Sequence, residues 1–217
     1  MYSVRLGYGM QAKERRNPMA VTFEFDPEKA VAASVYIVSK GLPELTMAKL
    51  FKLLFLSDKD HLVRYGRPIM GDFYAAMKDG PVPSNLYDLF KEMKSGEIHS
   101  EAGALIASKI ALTDLQYQYP RLKVIGDLDP MQLSESDIES LDRIIQEYGQ
   151  STFLRLRALT HETPAYENAW ESRGSSDMKP MVFEDFFEED PDAVAGAKEE
   201  MIENSALRSV FSDIGIV

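Results

Sequence analysis

The chain has 217 residues, 45% hydrophobic and 27% charged, the balance of a soluble globular protein with room for one domain of about 150 residues plus extensions. It has no cysteine, which excludes disulfides and thiolate chemistry and suits a reducing cytoplasm, and no window approaches the roughly 20 apolar residues of a membrane span. Its net charge of −11 repels phosphate backbones, so nucleic acid is disfavoured as a partner and a basic protein surface, or simple solubility, is favoured.

Residues Met1 to Pro18 are a basic outlier, with Arg5, Lys13, Arg15 and Arg16 against Glu14. They lack the apolar run of a secretory signal, so residues 1–26 read as a flexible leader. The first helix opens at Asp26-Pro27-Glu28, with Asp26 as N-cap and Pro27 in the first turn, and its stripe of Ala30, Val31, Ser34, Val35 and Val38 runs to Gly41. The second spans Thr46 to Tyr65 and buries Met47, Leu50, Phe51, Leu54, Leu62 and Tyr65 on one face. Asp58 and His61 interrupt that face. Each needs a hydrogen-bond partner or a place in a cleft, because an unpaired buried polar group costs a few kcal/mol.

Gly66, Arg67 and Pro68 stop this helix, glycine by its access to the left-handed cap and proline by its missing N–H. A strand-like or irregular piece, Ile69 to Met77, leads into Lys78-Asp79-Gly80-Pro81-Val82-Pro83, a rigid corner in which Gly80 permits positive φ. The next helix starts at Pro83 or Ser84 and buries Leu86, Leu89, Phe90 and Met93. Ser95 to Ser108 is small and polar and reads as a mobile loop, while Lys109–Leu112 and Leu122–Ile125 are β-prone pieces expected to form a small sheet with Asp72–Met77.

Ser134 caps a further helix, with Asp137 at the capping-box position and Leu133 stapled to Ile138. Ile138, Leu141, Ile144, Ile145 and Tyr148 are its buried face and Gly149 its stop. Ser151 opens a helix with Phe153, Leu154, Leu156 and Leu159 apolar, and Pro164 begins a short helix that presents Tyr166 and Trp170. Gly174-Ser175-Ser176 marks a boundary before an acidic tail in which Val182, Phe183, Phe186 and Phe187 predict docking, with an amphipathic helix over Pro191 to Phe211. The expected fold is mainly α: a compact helical domain with a small β element over residues 27–174, followed by an acidic C-terminal helical extension over 175–217.

The run KLLFLSDKDHLVRYGRPIMGDFYAAMKDGPVPSNLYDLF resembles the core signature of Panacea-domain proteins, the SocA-like antitoxins, in which KLLYF, YGRPL and a K-x-G-P-V-x-P-x-L-Y-x-x-F element follow in that order. A second element, Leu159-Thr160-His161-Glu162-Thr163-Pro164-Ala165-Tyr166 with Trp170, is similar to that family's closing motif of Leu, Ser or Thr, His, two residues, Pro, then an aromatic. The matching positions are Asp58, His61, Gly66, Arg67 and Pro68; Lys78, Gly80, Pro81, Val82 and Pro83; Leu86, Tyr87 and Phe90; and His161 with Pro164. The resemblance implies a cytoplasmic, non-enzymatic antitoxin that binds a cognate protein toxin, by masking or by delivery to a Clp-type protease. Lys78, Asp79, Tyr87, Tyr166 and Trp170 are the candidate partner contacts, since a corner displays the first two and Tyr and Trp are favoured interface anchors.

Two other functions compete. Asp58 and His61, spaced i, i+3 on one helix face, could join His161 and Glu162 as a metal-dependent hydrolase site if the two motifs meet in space. A phage- or plasmid-associated scaffold is the other. Buried polar residues more often fasten irregular segments than bind metals, and neither a G-x-S-x-G elbow nor a phosphate-binding glycine loop is present, so no catalytic, metal or cofactor residue is assigned.

Overall fold

The computed structural model describes residues 21–116, 119–127, 129–187, 196 and 198–206. Most of the expected basic leader, and the tail segments 188–195 and 207–217, lie outside the described residues. Within them the fold is mainly α with small β elements.

Helix α1 (Pro27–Ser39) begins as the sequence dictates: the Asp26 side chain accepts from Lys29 N–H, and Pro27 sits where no intrahelical donor is needed. Helix α2 (Met47–Tyr65) starts under a Thr46 cap and stops at Gly66, whose φ of 64° is the left-handed cap conformation. It differs from the one-faced helix that the periodicity predicts. Every residue from Lys49 to Asp58 is buried, because α1, the extended piece Gly80–Pro83 and the helices Glu135–Tyr148 and Phe153–His161 all pack against α2.

The expected rigid corner is the tip of a β-hairpin. Strand β1 (Tyr74–Met77) pairs antiparallel with β2 (Gly80–Pro83), with Met77 opposite Gly80, so Lys78 and Asp79 form a two-residue turn and Gly80 has φ 98°. Helix α3 (Ser84–Ser95) follows directly. The segment Ser95–Ser108 is not a loop throughout: Ser100 caps α4 (Glu101–Lys109) by accepting from Gly103 N–H, and Glu92 of α3 accepts from His99 and Ser100 N–H and holds its entry. That acceptor comes from a neighbouring helix, which local composition could not reveal.

Strands β3 (Ile110–Thr113) and β4 (Arg121–Val124) pair with each other and with residues 45–46, not with β1 as expected. The open edge of β1 instead takes β5 (Met178–Pro180), giving the order β2-β1-β5. Helix α5 (Glu135–Tyr148) carries the full Ser134–Asp137 capping box, and Leu133, Leu141 and Ile144 are buried as expected. Helix α6 (Phe153–His161) is capped by Thr152, one residue beyond the expected Ser151, and its Leu154 is 73% exposed instead of buried. Helix α7 (Pro164–Glu171) starts at the expected proline.

Beyond Gly174 the chain rejoins the same core. Phe183, Phe186 and Phe187 lie in a 3₁₀ turn and are buried, with Phe186 tilted against Phe55 at 5.4 Å and Tyr74 at 6.4 Å. Of the helix expected over Pro191 to Phe211, residues 196 and 198–206 are described and are helical, and Met201 is fully buried.

Candidate partner-binding cleft

The two family-like motifs meet at the β1–β2 hairpin. Three side chains from three helices each take one of its carbonyls: Tyr166 Oη donates to Met77 O at 2.9 Å, Arg157 Nη2 to Lys78 O at 3.0 Å, and Lys52 Nζ to Pro81 O at 2.7 Å. A short two-residue turn cannot pair these groups internally, so helices α2, α6 and α7 satisfy them and thereby fix where Lys78 and Asp79 point. Arg157 also reaches Asp79 Oδ1 at 3.1 Å. Beneath Gly80 lie Lys52, Thr160 and His161, close enough that an added Cβ would sit 2.8 Å from Lys52 Cε and 3.2 Å from His161 Cδ2.

Lys52 is 2% exposed, and burial pushes its ammonium down to about 7 against the opposing pull of Asp79. His161 is also lowered by burial; its ring stacks on Tyr166 at 4.3 Å and its Nε2 makes no hydrogen bond. Tyr166, expected as a partner contact, is 2% exposed, and Trp170 stacks behind it with Arg173 lying 3.5 Å over its ring.

Lys78, Asp79 and Tyr87 stand elsewhere, at the rim of a cleft along the first turns of α2. One part, about 370 Å³, is floored by Phe51, Lys52 and Phe90 and walled by Val82, Tyr87 and Met93. A second part, about 510 Å³, adjoins it at Thr46, Ala48, Asp79 and Tyr119, which line both, and is bordered by Arg121, Phe153 and Leu154. Tyr119 and Leu154 are 65% and 73% exposed at its border, so large apolar side chains meet water there. Sequence periodicity counts Leu154 among the apolar residues of its helix and does not single out Tyr119, because exposure at a cleft border is set by packing and leaves no local signal.

Asp58, His61 and Arg67 assemble at the other end of α2. Asp58 Oδ1 accepts from Ile69 and Met70 N–H at 2.8 and 3.3 Å, and Oδ2 from Tyr74 Oη at 2.9 Å. Burial pushes its carboxyl up to about 7, against those three donors. His61 Nδ1 donates to Arg67 O at 2.7 Å, and Nε2 faces Ser136 Oγ at 3.1 Å and Asp137 Oδ1 at 3.2 Å. Asp137 is fully buried between Lys29 at 2.9 Å and Arg67 at 3.2 Å. Burial alone would raise it, yet the Lys29 hydrogen bond and the Ser134 N–H hold it below the ordinary carboxylate range. Gly66 and Pro68 complete this corner, and the helical residues 198–206 cover it, with Asn204 donating to Gly66 O at 3.3 Å.

His161 is not part of this corner. It sits under Gly80, so Asp58, His61 and His161 are not brought together, and among the described residues no cluster of three His, Asp or Glu side chains is placed to hold a metal. One acid that sequence reading passed over has a plain role. Asp72, fully buried, accepts from Asn85 and Leu86 N–H at 3.1 and 2.9 Å and so caps α3, whose own N-cap is Pro83. Leu86 and Phe90, fully buried, and Pro81 and Pro83 pack the core side of this junction.

Among the described residues no helix is long and apolar enough to cross a membrane. Residues 50–170 match the family model described as antitoxin SocA-like, Panacea domain. No curated protein and no solved structure matches the chain.

Proposed function

Because this chain belongs to the family of SocA-like antitoxins that carry the Panacea domain, we propose that it is the antitoxin of a toxin–antitoxin pair and neutralises a cognate protein toxin by direct contact at the cleft along α2. The observation that carries the reading is the family match over residues 50–170, which spans both the hairpin and the closing motif. The cleft supports it. Lys78 and Asp79 are presented on a hairpin whose carbonyls are fixed by three helices, so little conformational entropy is lost when a partner docks.

Neutralisation acts by masking the toxin or by handing it to a Clp-type protease, and takes place in the cytoplasm without catalysis or cofactor. A metal-dependent hydrolase has less support, since every Asp58 oxygen and both His61 nitrogens already face protein partners. Co-expression with the adjacent reading frame tests the proposal. Growth rescue with a co-purifying complex is the result expected of masking, and rescue with disappearance of the neighbour that of delivery. A neighbour that is expressed, harmless alone and unbound would overturn it, and would favour a phage- or plasmid-associated scaffold.

A further inference from the structure

The chain is acidic, at −11, yet its cleft is not. Five basic side chains line the two parts, Lys49, Lys52, Lys78, Lys94 and Arg121, against two acids, Glu44 and Asp79, with Asp114 4.0 Å from Arg121. Asp79 is already engaged by Arg157 at 3.1 Å. Lys49 and Lys52 are held at the floor by carbonyls of Pro43, Gly149 and Pro81. Between these cations the walls are Met47, Phe51, Val82, Tyr87, Phe90 and Met93. A basic, apolar-walled trough on an acidic surface attracts a ligand by field as well as by burial, because the rest of the surface repels negative charge.

From this charge contrast we infer that the cleft takes an extended segment of the partner protein in which a large apolar side chain lies beside an aspartate or glutamate. The inference rests on the reading of the cleft as the partner surface and names the chemistry of what enters it. A segment fits better than a small molecule, because the two parts adjoin across Thr46, Ala48, Asp79 and Tyr119, and the exposed Tyr119 and Leu154 at the border are covered only by an occupant that runs past them. The apolar side chain fills the part over Phe51 and Phe90. The carboxylate then faces Lys78 and Lys94 at the rim, with Lys52 below.

The charged and titratable groups around Lys52 are Lys78 and Asp79 of the turn, Arg157 and His161 of α6, and Lys94 and Tyr87 of α3. Asp79 is the acid among them that opposes the burial of Lys52, so an incoming carboxylate adds a second counter-charge where one is lacking.

Selection of a displayed random dodecapeptide library on the purified full chain tests this without knowledge of the toxin. Enriched peptides should pair Leu, Phe, Tyr or Trp with a neighbouring Asp or Glu. Ala48→Tyr, which fills the junction of the two parts, should weaken binding of the best peptide at least tenfold. Lys78→Glu with Lys94→Glu should weaken it at least fivefold, and a peptide with Lys in place of its acids should bind that double variant better than the parent chain. Circular dichroism melts establish that each variant is folded. Enrichment of basic peptides, no enrichment, or binding indifferent to Ala48→Tyr in a folded variant would overturn the inference. So would a parent chain that elutes as a dimer when Ala48→Tyr does not, which would put a second copy in the cleft. These readouts are independent of growth rescue. A failed rescue beside selected acidic peptides removes the antitoxin reading alone, and the reverse removes the acidic-segment inference alone.

Discussion

The two ends of α2 carry polar residues of the same motif and use them in opposite ways. At its C-terminal end Asp58, His61, Arg67 and Asp137 are turned inward, and each is paired with backbone or with another buried group. At its N-terminal end Lys52 fixes the hairpin from below while Lys78, Asp79, Tyr87 and Lys94 are left at the rim of an open cleft. A motif residue is therefore not by itself a site residue. Satisfied polar groups mark the end that holds the fold, and a rigid rim with unfilled apolar space marks the end we propose as the partner surface.

If the C-terminal end is the fastening, damage there should be severe. Ending the chain after Gly174 removes β5 and three buried phenylalanines, of which Phe186 packs on Phe55 and Tyr74 and Phe183 on Phe23, and a Phe lost from a core costs about 3–5 kcal/mol each. The fragment should show no cooperative melting transition, and a fragment that melts like the full chain would mean that the tail merely rests on a finished core. Asp58→Ala strands two buried N–H groups and the Tyr74 hydroxyl, which at about 1–3 kcal/mol per group should cost about 4 kcal/mol in denaturant unfolding. Asp58→Asn keeps an acceptor and should cost less than half as much.

The hairpin joins the two ends, and intermediate effects are expected there. Gly80→Val places a β-branched residue at φ 98° and its Cβ against Lys52 and His161, so a loss of about 2–3 kcal/mol is expected from the melting curve. An unchanged curve would mean that the turn relaxes freely. Lys52→Met tests the cation at the cleft floor by its pH dependence. Lys52 drops from its ordinary 10.5 to about 7 on folding, so between those values the unfolded chain holds the extra proton and the parent gains stability as pH rises. The methionine variant lacks that gain. The stability difference should therefore move toward the parent by up to about 1.4 kcal/mol per pH unit from pH 7 to 10, and a difference that stays flat would show that Lys52 is hydrated. At the rim, Lys94→Glu should change stability by no more than about 0.5 kcal/mol while altering partner binding. A larger loss would make the rim part of the fastening.

What could be read in advance follows from the range over which each signal acts. Caps, stops and periodicity are local, so Asp26, Thr46, Gly66, Ser134 and Pro164 bound their helices as the sequence predicts, and Gly80 takes the positive φ assigned to it. The core side of α3 and α5 was legible for the same reason, in Leu86, Phe90, Leu141 and Ile144. The candidate site was legible only in part. Lys78, Asp79 and Tyr87 do stand at the cleft, whereas Tyr166 is spent inside on the Met77 carbonyl, and Leu154, which reads as core, is exposed.

The sequence by itself determined where the helices begin and end, that Asp58 and His61 would need partners, and that the chain carries the two elements of its family. Tertiary structure alone decided which partners those were. It brought β5 to β1 in place of β3 and β4, set α4 under a Glu92 acceptor from another helix, parted His61 from His161, and gathered scattered lysines of an acidic chain into one cleft. The reason is physical: capping and periodicity act over three or four residues, whereas sheet pairing, burial of charge and the shape of a cleft depend on groups that only packing makes neighbours.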